Sequence, residues 1–139
     1  MVIRQIEKED SSKFVTLAKQ LGYDADEEYV EDCISINNAN EIVFVASDDD
    51  NIVGWIDSKI HETYLIKPVC EIVGLVVDEK QRGKGIGSAL VKRVEEWALE
   101  LGMKIIRVRT NIIREEAQKF YLKNGYLEKK QSKLFIKAL

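Results

Sequence analysis

Nine consecutive residues carry the densest chemical signal in the chain: Gln81-Arg82-Gly83-Lys84-Gly85-Ile86-Gly87-Ser88-Ala89. Glycine at alternating positions removes the side chains that would hold a ligand away from backbone N–H groups. The apolar stretch before it, residues 69–78 (VCEIVGLVVD), reads as a strand. After it, Leu90, Val91, Val94, Trp97, Ala98 and Leu101 recur at helical spacing over a helix predicted at about 84–101. A turn placed this way brings a ligand to the unpaired N–H groups and positive dipole of a helix's first turn. With Arg82 and Lys84 adding charge, the segment forms a cradle for phosphate. A flexible turn with no ligand is the plainer alternative. The spacing lacks the GxGxxG of dinucleotide sites, and Gly-Lys leads to Gly85 rather than to the Ser or Thr of a nucleotide P-loop.

The elements that must position this turn follow from periodicity and punctuation. Residues 2–6 form a strand, and a helix opened by Asp10 or Ser11 carries Phe14, Leu17, Ala18 and Leu21 on one face before Gly22. A second helix spans about 26–37, with Tyr29, Val30, Cys33 and Ile34 or Ile36 inward. Residues 41–47 and 52–60 are strands joined by Asp48-Asp49-Asp50-Asn51, an acidic run read as a solvated hairpin turn rather than a metal site. Residues 69–78, the most apolar strand, are expected at the centre of the sheet. Beyond the long helix come a strand at 104–110, a helix at 114–124 stopped by Gly125, and two closing strands at 126–130 and 133–138. The order β-α-α-β-β-β-α-β-α-β-β describes one mixed α/β domain over 1–139, with about seven strands in a central sheet and about four flanking helices.

Composition narrows the function classes. The chain has 139 residues, 45% hydrophobic and 32% charged, enough for one full core. A formal charge of −3 offers no basic surplus for a phosphodiester backbone, so no nucleic-acid partner is expected. No apolar run approaches the roughly 18–20 residues that cross a bilayer, so no membrane partner is expected. No signal-like segment opens the sequence. Cys33 and Cys70 lack metal-ligand spacing and are read as reduced core thiols, so a cytoplasmic location is expected. His61, the single histidine, leaves no ordinary zinc set, and no metal is expected.

Two motifs in order give the sequence a family likeness. Arg82, Gly85 and Gly87 match the Arg/Gln-x-x-Gly-x-Gly/Ala motif, Leu75-Val76-Val77-Asp78 precedes it, and Ala117-x-x-Phe120-Tyr121-x-x-x-Gly125-Tyr126 follows. The chain resembles the GNAT superfamily of acetyl-CoA-dependent N-acetyltransferases over essentially its whole length. The resemblance implies that Arg82, Gly83, Lys84, Gly85, Ile86, Gly87 and Ser88 hold the coenzyme A pyrophosphate. It also implies that Leu75, Val76 and Val77 pair with the pantetheine arm as an added strand, often beside a bulge, with the Val77 N–H polarising the thioester carbonyl. Many family members place asparagine where this chain has Arg114; Asn111, a turn earlier, either substitutes as the pantetheine contact or caps the helix.

Tyr121 is the candidate acid, since a phenol can donate to a departing thiolate; an aromatic core pair with Phe120 is the alternative. Glu71 is the candidate base. At period two it is expected to share a face with Val73, Leu75 and Val77, although a sheet-edge salt bridge explains the residue as well. His61 and Glu62 are the reserves. The expected activity is acetyl transfer from acetyl-CoA to a primary amine, foremost of a small molecule. The alternatives are a protein lysine or N-terminus, or a non-catalytic acyl-CoA sensor. A homodimer is left open.

Overall fold

Asp49 and Asp50 both adopt left-handed backbone conformations, with φ of 48° and 63°. That geometry makes a two-residue hairpin turn whose twist matches the flanking strands. In the computed structural model, which describes residues 1–139, the turn joins β2 (Glu41–Asp48) to β3 (Asn51–His61). The remaining strands are β1 (Val2–Gln5), β4 (Val69–Val77) and β5 (Ile106–Val108). The helices are α1 (Ser11–Gln20), α2 (Glu27–Ile36), α3 (Ile86–Glu100) and α4 (Glu115–Lys123). The Asp26 side chain caps α2 by accepting from the Tyr29 N–H at 3.0 Å.

The sheet runs β1-β2-β3-β4-β5. Neighbours are antiparallel except β4 and β5, a parallel pair joined through α3. The mixed α/β architecture is the expected one, but β3 rather than residues 69–78 occupies the centre. The sheet has five strands, not about seven, because residues 126–139 form no regular secondary structure. Apolar residues there supply a strand pattern, yet a strand exists only through a paired ladder, and Leu127, Leu134, Phe135 and Ile136 remain exposed. The single domain expected over 1–139 is built as two compact units: Met1–Arg109, with the sheet and α1–α3, and Thr110–Leu139, with α4. No helix is long and apolar enough to cross a membrane.

Within the first unit each face of the sheet has its own helix. Leu17 and Ala18 of α1 join Ile6, Val45, Trp55 and Val76 in one buried cluster. Phe14 stacks on Trp55 with ring centroids 4.2 Å apart, and the indole N–H donates to the Phe14 carbonyl at 3.2 Å. From the opposite face α3 buries Ile86, Leu90, Val91, Val94, Trp97 and Ala98. The inward stripe of α2 is narrower than expected: Ile34 packs on the core, while Tyr29, Cys33 and Ile36 are exposed. Cys33 is thus no core thiol. Cys70 is one, and burial pushes its thiol up to about 11.

Gly54 marks where α3 comes down on the sheet. A Cβ there would lie 2.9 Å from the Val76 carbonyl oxygen and 3.4 Å from Leu90 Cδ1. A backbone oxygen cannot swing aside as a side-chain tip can, so Gly54→Ala is expected to destabilise the fold by about 1–3 kcal/mol, the usual range for overpacking. A urea titration checks this: the midpoint should fall with an unchanged slope, and an unchanged midpoint would mean that the approach is not tight.

Candidate functional site

The glycine-rich turn is held from both sides. The Asp78 N–H donates to the Val53 carbonyl at 2.8 Å, and Asp78 Oδ1 accepts from the Lys80 N–H at 3.2 Å. Gln20, at the end of α1, accepts from the Glu79 N–H at 3.0 Å. Gly83 and Gly85 each have φ of +81°, which L side chains rarely adopt, and a Cβ on either would meet nothing within 4 Å. Backbone conformation therefore requires both glycines, and the space beside them is clear. Gly85 caps α3 without a side chain, and the first bond of the helix runs from the Ala89 N–H to the Gly85 carbonyl at 3.1 Å. The N–H groups of Ile86, Gly87 and Ser88 have no intrahelical partner. Arg82 Nε donates to the Val77 carbonyl at 3.1 Å and Lys84 Nζ to Gln81 Oε1 at 2.7 Å, so both cations stay at the turn.

β4 leads into this turn along an edge without a neighbouring strand. β5 pairs with it over Cys70–Ile72 alone. Antiparallel alternation fixes which groups face the free edge beyond Ile72. The Asp78 N–H bonds toward β3, so the Val76 N–H does too, and those of Leu75 and Val77 face outward. The strand also bulges. Asp57 pairs with Gly74 and Ser58 with Ile72, which leaves Val73 unopposed. The extra residue reverses the facing beyond it: Glu71, opposite Lys59, shares its face with Gly74 and Val76, not with Leu75 and Val77 as strict alternation predicts.

Glu71 is engaged by two arginines. Its Oε1 lies 2.9 Å from Arg107 Nε and 3.4 Å from Arg109 Nε, and its side chain is only 13% exposed. These contacts tie β5 and the residues after it to β4, the salt-bridge alternative of the sequence reading. His61 closes β3 opposite Val69, and Glu62 follows it, exposed.

Sequence reasoning missed Asp57. It lies on the α1-facing side of β3 and lines a cavity of about 190 Å³ with Phe14, Tyr23, Trp55 and Gly74. Burial, and then the neighbouring Glu41 carboxylate, push its carboxyl up to about 8, against the pull of Lys59. The available signal was a lone acid directly after the apolar run Ile52–Ile56 of the central strand.

In the C-terminal unit, Asn111 forms the turn before α4: its Oδ1 accepts from the Ile113 N–H at 3.1 Å and its carbonyl from the Arg114 N–H at 2.9 Å. Tyr121 lies on α4, buried, with Phe120 and Tyr126 edge-on to its ring at 5.1 and 5.5 Å. Burial pushes its phenol up to about 12, with Arg114 opposing.

Known proteins resemble the chain in sequence and in fold. Seventy residues are 46% identical to the aminoalkylphosphonate N-acetyltransferase of Salmonella typhimurium, covering 50% of this chain and 44% of that one. The aminoglycoside N(6')-acetyltransferase type 1 of Stenotrophomonas maltophilia is 29% identical over 107 residues, 73% of this chain and 70% of that one. The matches to the Salmonella protein and to curated relatives from Bacillus subtilis and Methanocaldococcus jannaschii span about half of each protein's length. An aminoglycoside acetyltransferase from an uncultured soil metagenomic sample, solved with sisomicin, gives a TM-score of 0.81 at 25% identity, over 99% of this chain and 95% of that one. The aminoglycoside N-acetyltransferase AAC(6')-Iy, solved with CoA, shares the fold with a TM-score of 0.88 at 22% identity, over 99% and 95%. Residues 3–126 match the acetyltransferase (GNAT) family, so the glycine turn and the opened strand before it are those of a chain that belongs to that family.

Proposed function

We propose that the protein transfers the acetyl group of acetyl-CoA to the primary amine of a small molecule. The observation that carries this reading is the free edge of β4, which runs directly into the turn built on Gly83 and Gly85. An extended amide-bearing arm can bond to that edge as a strand would, while residues 82–88 meet the pyrophosphate with N–H groups and two cations. Relatives named for aminoalkylphosphonate and aminoglycoside acetylation support a small amine as the acceptor.

The amine nitrogen attacks the thioester carbonyl carbon, the C–S bond breaks, and its electron pair leaves on sulfur. Charge developing on the carbonyl oxygen is met by the outward Val77 N–H. Tyr121 is assigned the proton donor's role on its motif and its chemistry, since a phenol near 12 stays protonated through the working range. Its high value also makes it a hydrogen-bond donor more than a strong acid. Calorimetric titration with CoA, followed by thiol release from acetyl-CoA across a panel of primary amines, tests the whole reading. CoA binding without thiol release for any amine would leave a binding module.

Three variants examine the parts. Ser88→Asp puts a negative charge in the first turn of α3, which helices favour by roughly 0.3–1 kcal/mol, but opposes a pyrophosphate. The melting temperature should hold or rise while CoA affinity falls at least about tenfold, roughly 1.4 kcal/mol; unchanged affinity would remove the turn from the site. Tyr121→Phe deletes one oxygen and should lower kcat by about a hundredfold with CoA affinity intact. A wild-type kcat with chemistry rate-limiting would return Tyr121 to packing. Glu71→Gln should lower the melting temperature, because Arg107 and Arg109 lose their counter-charge, and leave the pH profile of turnover in place. Loss of the profile's acidic limb would instead make Glu71 the base.

A further inference from the structure

Asp57, like its neighbour Ser58, carries a buried side-chain oxygen that no hydrogen bond satisfies, while its carboxyl also meets that of Glu41. The Asp57 Oδ1 is shut off from solvent and has no hydrogen-bond partner. Buried polar atoms are seldom left so, and Asp57 also lines a cavity, where a ligand can supply a donor to its carboxyl. The cavity beside it measures about 190 Å³. Phe14, Tyr23 and Trp55 make its lining aromatic, and Gly74 keeps it open, since a Cβ there would lie 3.2 Å from the Trp55 ring. An apolar cavity of about 150 Å³ takes a benzene molecule, so a small ring or short alkyl group fits here. The unopposed Val73 of the β4 bulge lines the same space, next to the edge assigned to the pantetheine arm.

Resting on the acetyl-transfer reading, we infer that this cavity takes the acceptor, a small primary amine with an apolar body, and that the Asp57 carboxylate receives its ammonium hydrogen bond and then its proton. The proton passes from nitrogen to the carboxylate, and the lone pair so freed attacks the thioester carbon. Aromatic walls suit the cationic head as well as the body. The groups facing Asp57 are Glu41 from β2, Lys59 from β3 and the Tyr23 phenol from the α1–α2 connection. The α1 residues Phe14, Ala18 and Leu21, and Val73 and Gly74 of β4, bring no charge. Burial and Glu41 hold the carboxyl at about 8, closer to an amine's own range than an ordinary carboxylate and so better matched to take its proton.

The test is a titration of tryptophan fluorescence, which Trp55 reports from the cavity, with benzylamine and its uncharged counterpart benzyl alcohol, in the absence of CoA. The wild type should bind benzylamine more tightly than benzyl alcohol. Asp57→Asn should lose benzylamine affinity at least tenfold, a difference of about 1.4 kcal/mol, and keep benzyl alcohol and CoA affinity. In steady-state assays kcat/KM for benzylamine should rise through a midpoint near 8 in the wild type. The variant should lack that limb and run about a hundredfold slower. Folding gives an independent reading. The carboxyl titrates higher in the folded chain than in the unfolded one, so rising pH favours the unfolded state between about 4 and 8. The melting temperature of Asp57→Asn relative to wild type should therefore climb across that window. Failure of benzylamine to bind the wild type, or equal affinity and an intact ascending limb in the variant, overturns the inference. Absence of CoA binding by the wild type would instead remove the acetyl-transfer reading, and the benzylamine titration still decides the cavity.

Discussion

β4 pairs with β5 over Cys70–Ile72 and then bulges at Val73, and from there its outer edge carries hydrogen-bonding groups that no strand of the sheet takes up. Unpaired backbone at a sheet edge is a liability in water, because it invites pairing with another chain. Here the liability has a defined length. The free edge runs to Val77, where the Asp78 N–H returns to β3 and the chain turns into the glycine segment. In the proposed function, a ligand that is a strand-like amide at one end and a phosphate at the other would meet complementary groups in that order. The two recognition elements are consecutive in sequence, so nothing but the conformation of about ten residues has to be kept for them to stay in register.

The helices stabilise that conformation by close approach to the backbone. On one side Gly54 of β3 lets the Val76 carbonyl of β4 lie closer than a Cβ would allow, and Leu90 of α3 packs over it. On the other, Gly74 lets the Trp55 ring lie against β4 while Phe14 stacks over it. Glycine in a strand weakens it and usually marks such an approach. In β3 and β4 each glycine has a packing reason at the very stretch where β4 leaves β5. The ion pairs of Glu71 with Arg107 and Arg109 act where pairing is still intact, and fix the point at which the two strands part.

Much of this was legible from local chemistry. The acidic hairpin turn, the second helix starting near Asp26 and the glycine-rich turn between β4 and α3 are each dictated by a few adjacent residues, and sequence shows such things directly. The bulge was not legible. Alternation counts every residue of β4 once, and one uncounted residue at Val73 moves Glu71 onto the face of Gly74 and Val76. The place of β3 at the centre depends on pairing partners far apart in sequence. The closing strands were predicted from an apolar pattern alone, and pattern without a ladder does not make a strand. Asp57 escaped notice because its burial comes from α1 docking across β3, which no window around residue 57 contains.

Two carboxylates on the same face of the sheet end up in opposite environments, and this separation follows from the bulge. Glu71 lies before it, opposite Arg107, where guanidinium groups satisfy its charge. Asp57 lies across from Gly74, just past it, under aromatic side chains and beside a second acid, where burial and Glu41 outweigh the pull of Lys59. A group of the first kind holds strands together; one of the second kind is costly to the fold and inclined to hold a proton. Environments that push like groups apart in this way are how a site divides structural and acid–base work between residues of one type. Glu71 can fix where β4 and β5 part, and Asp57 can exchange a proton without loosening the strands.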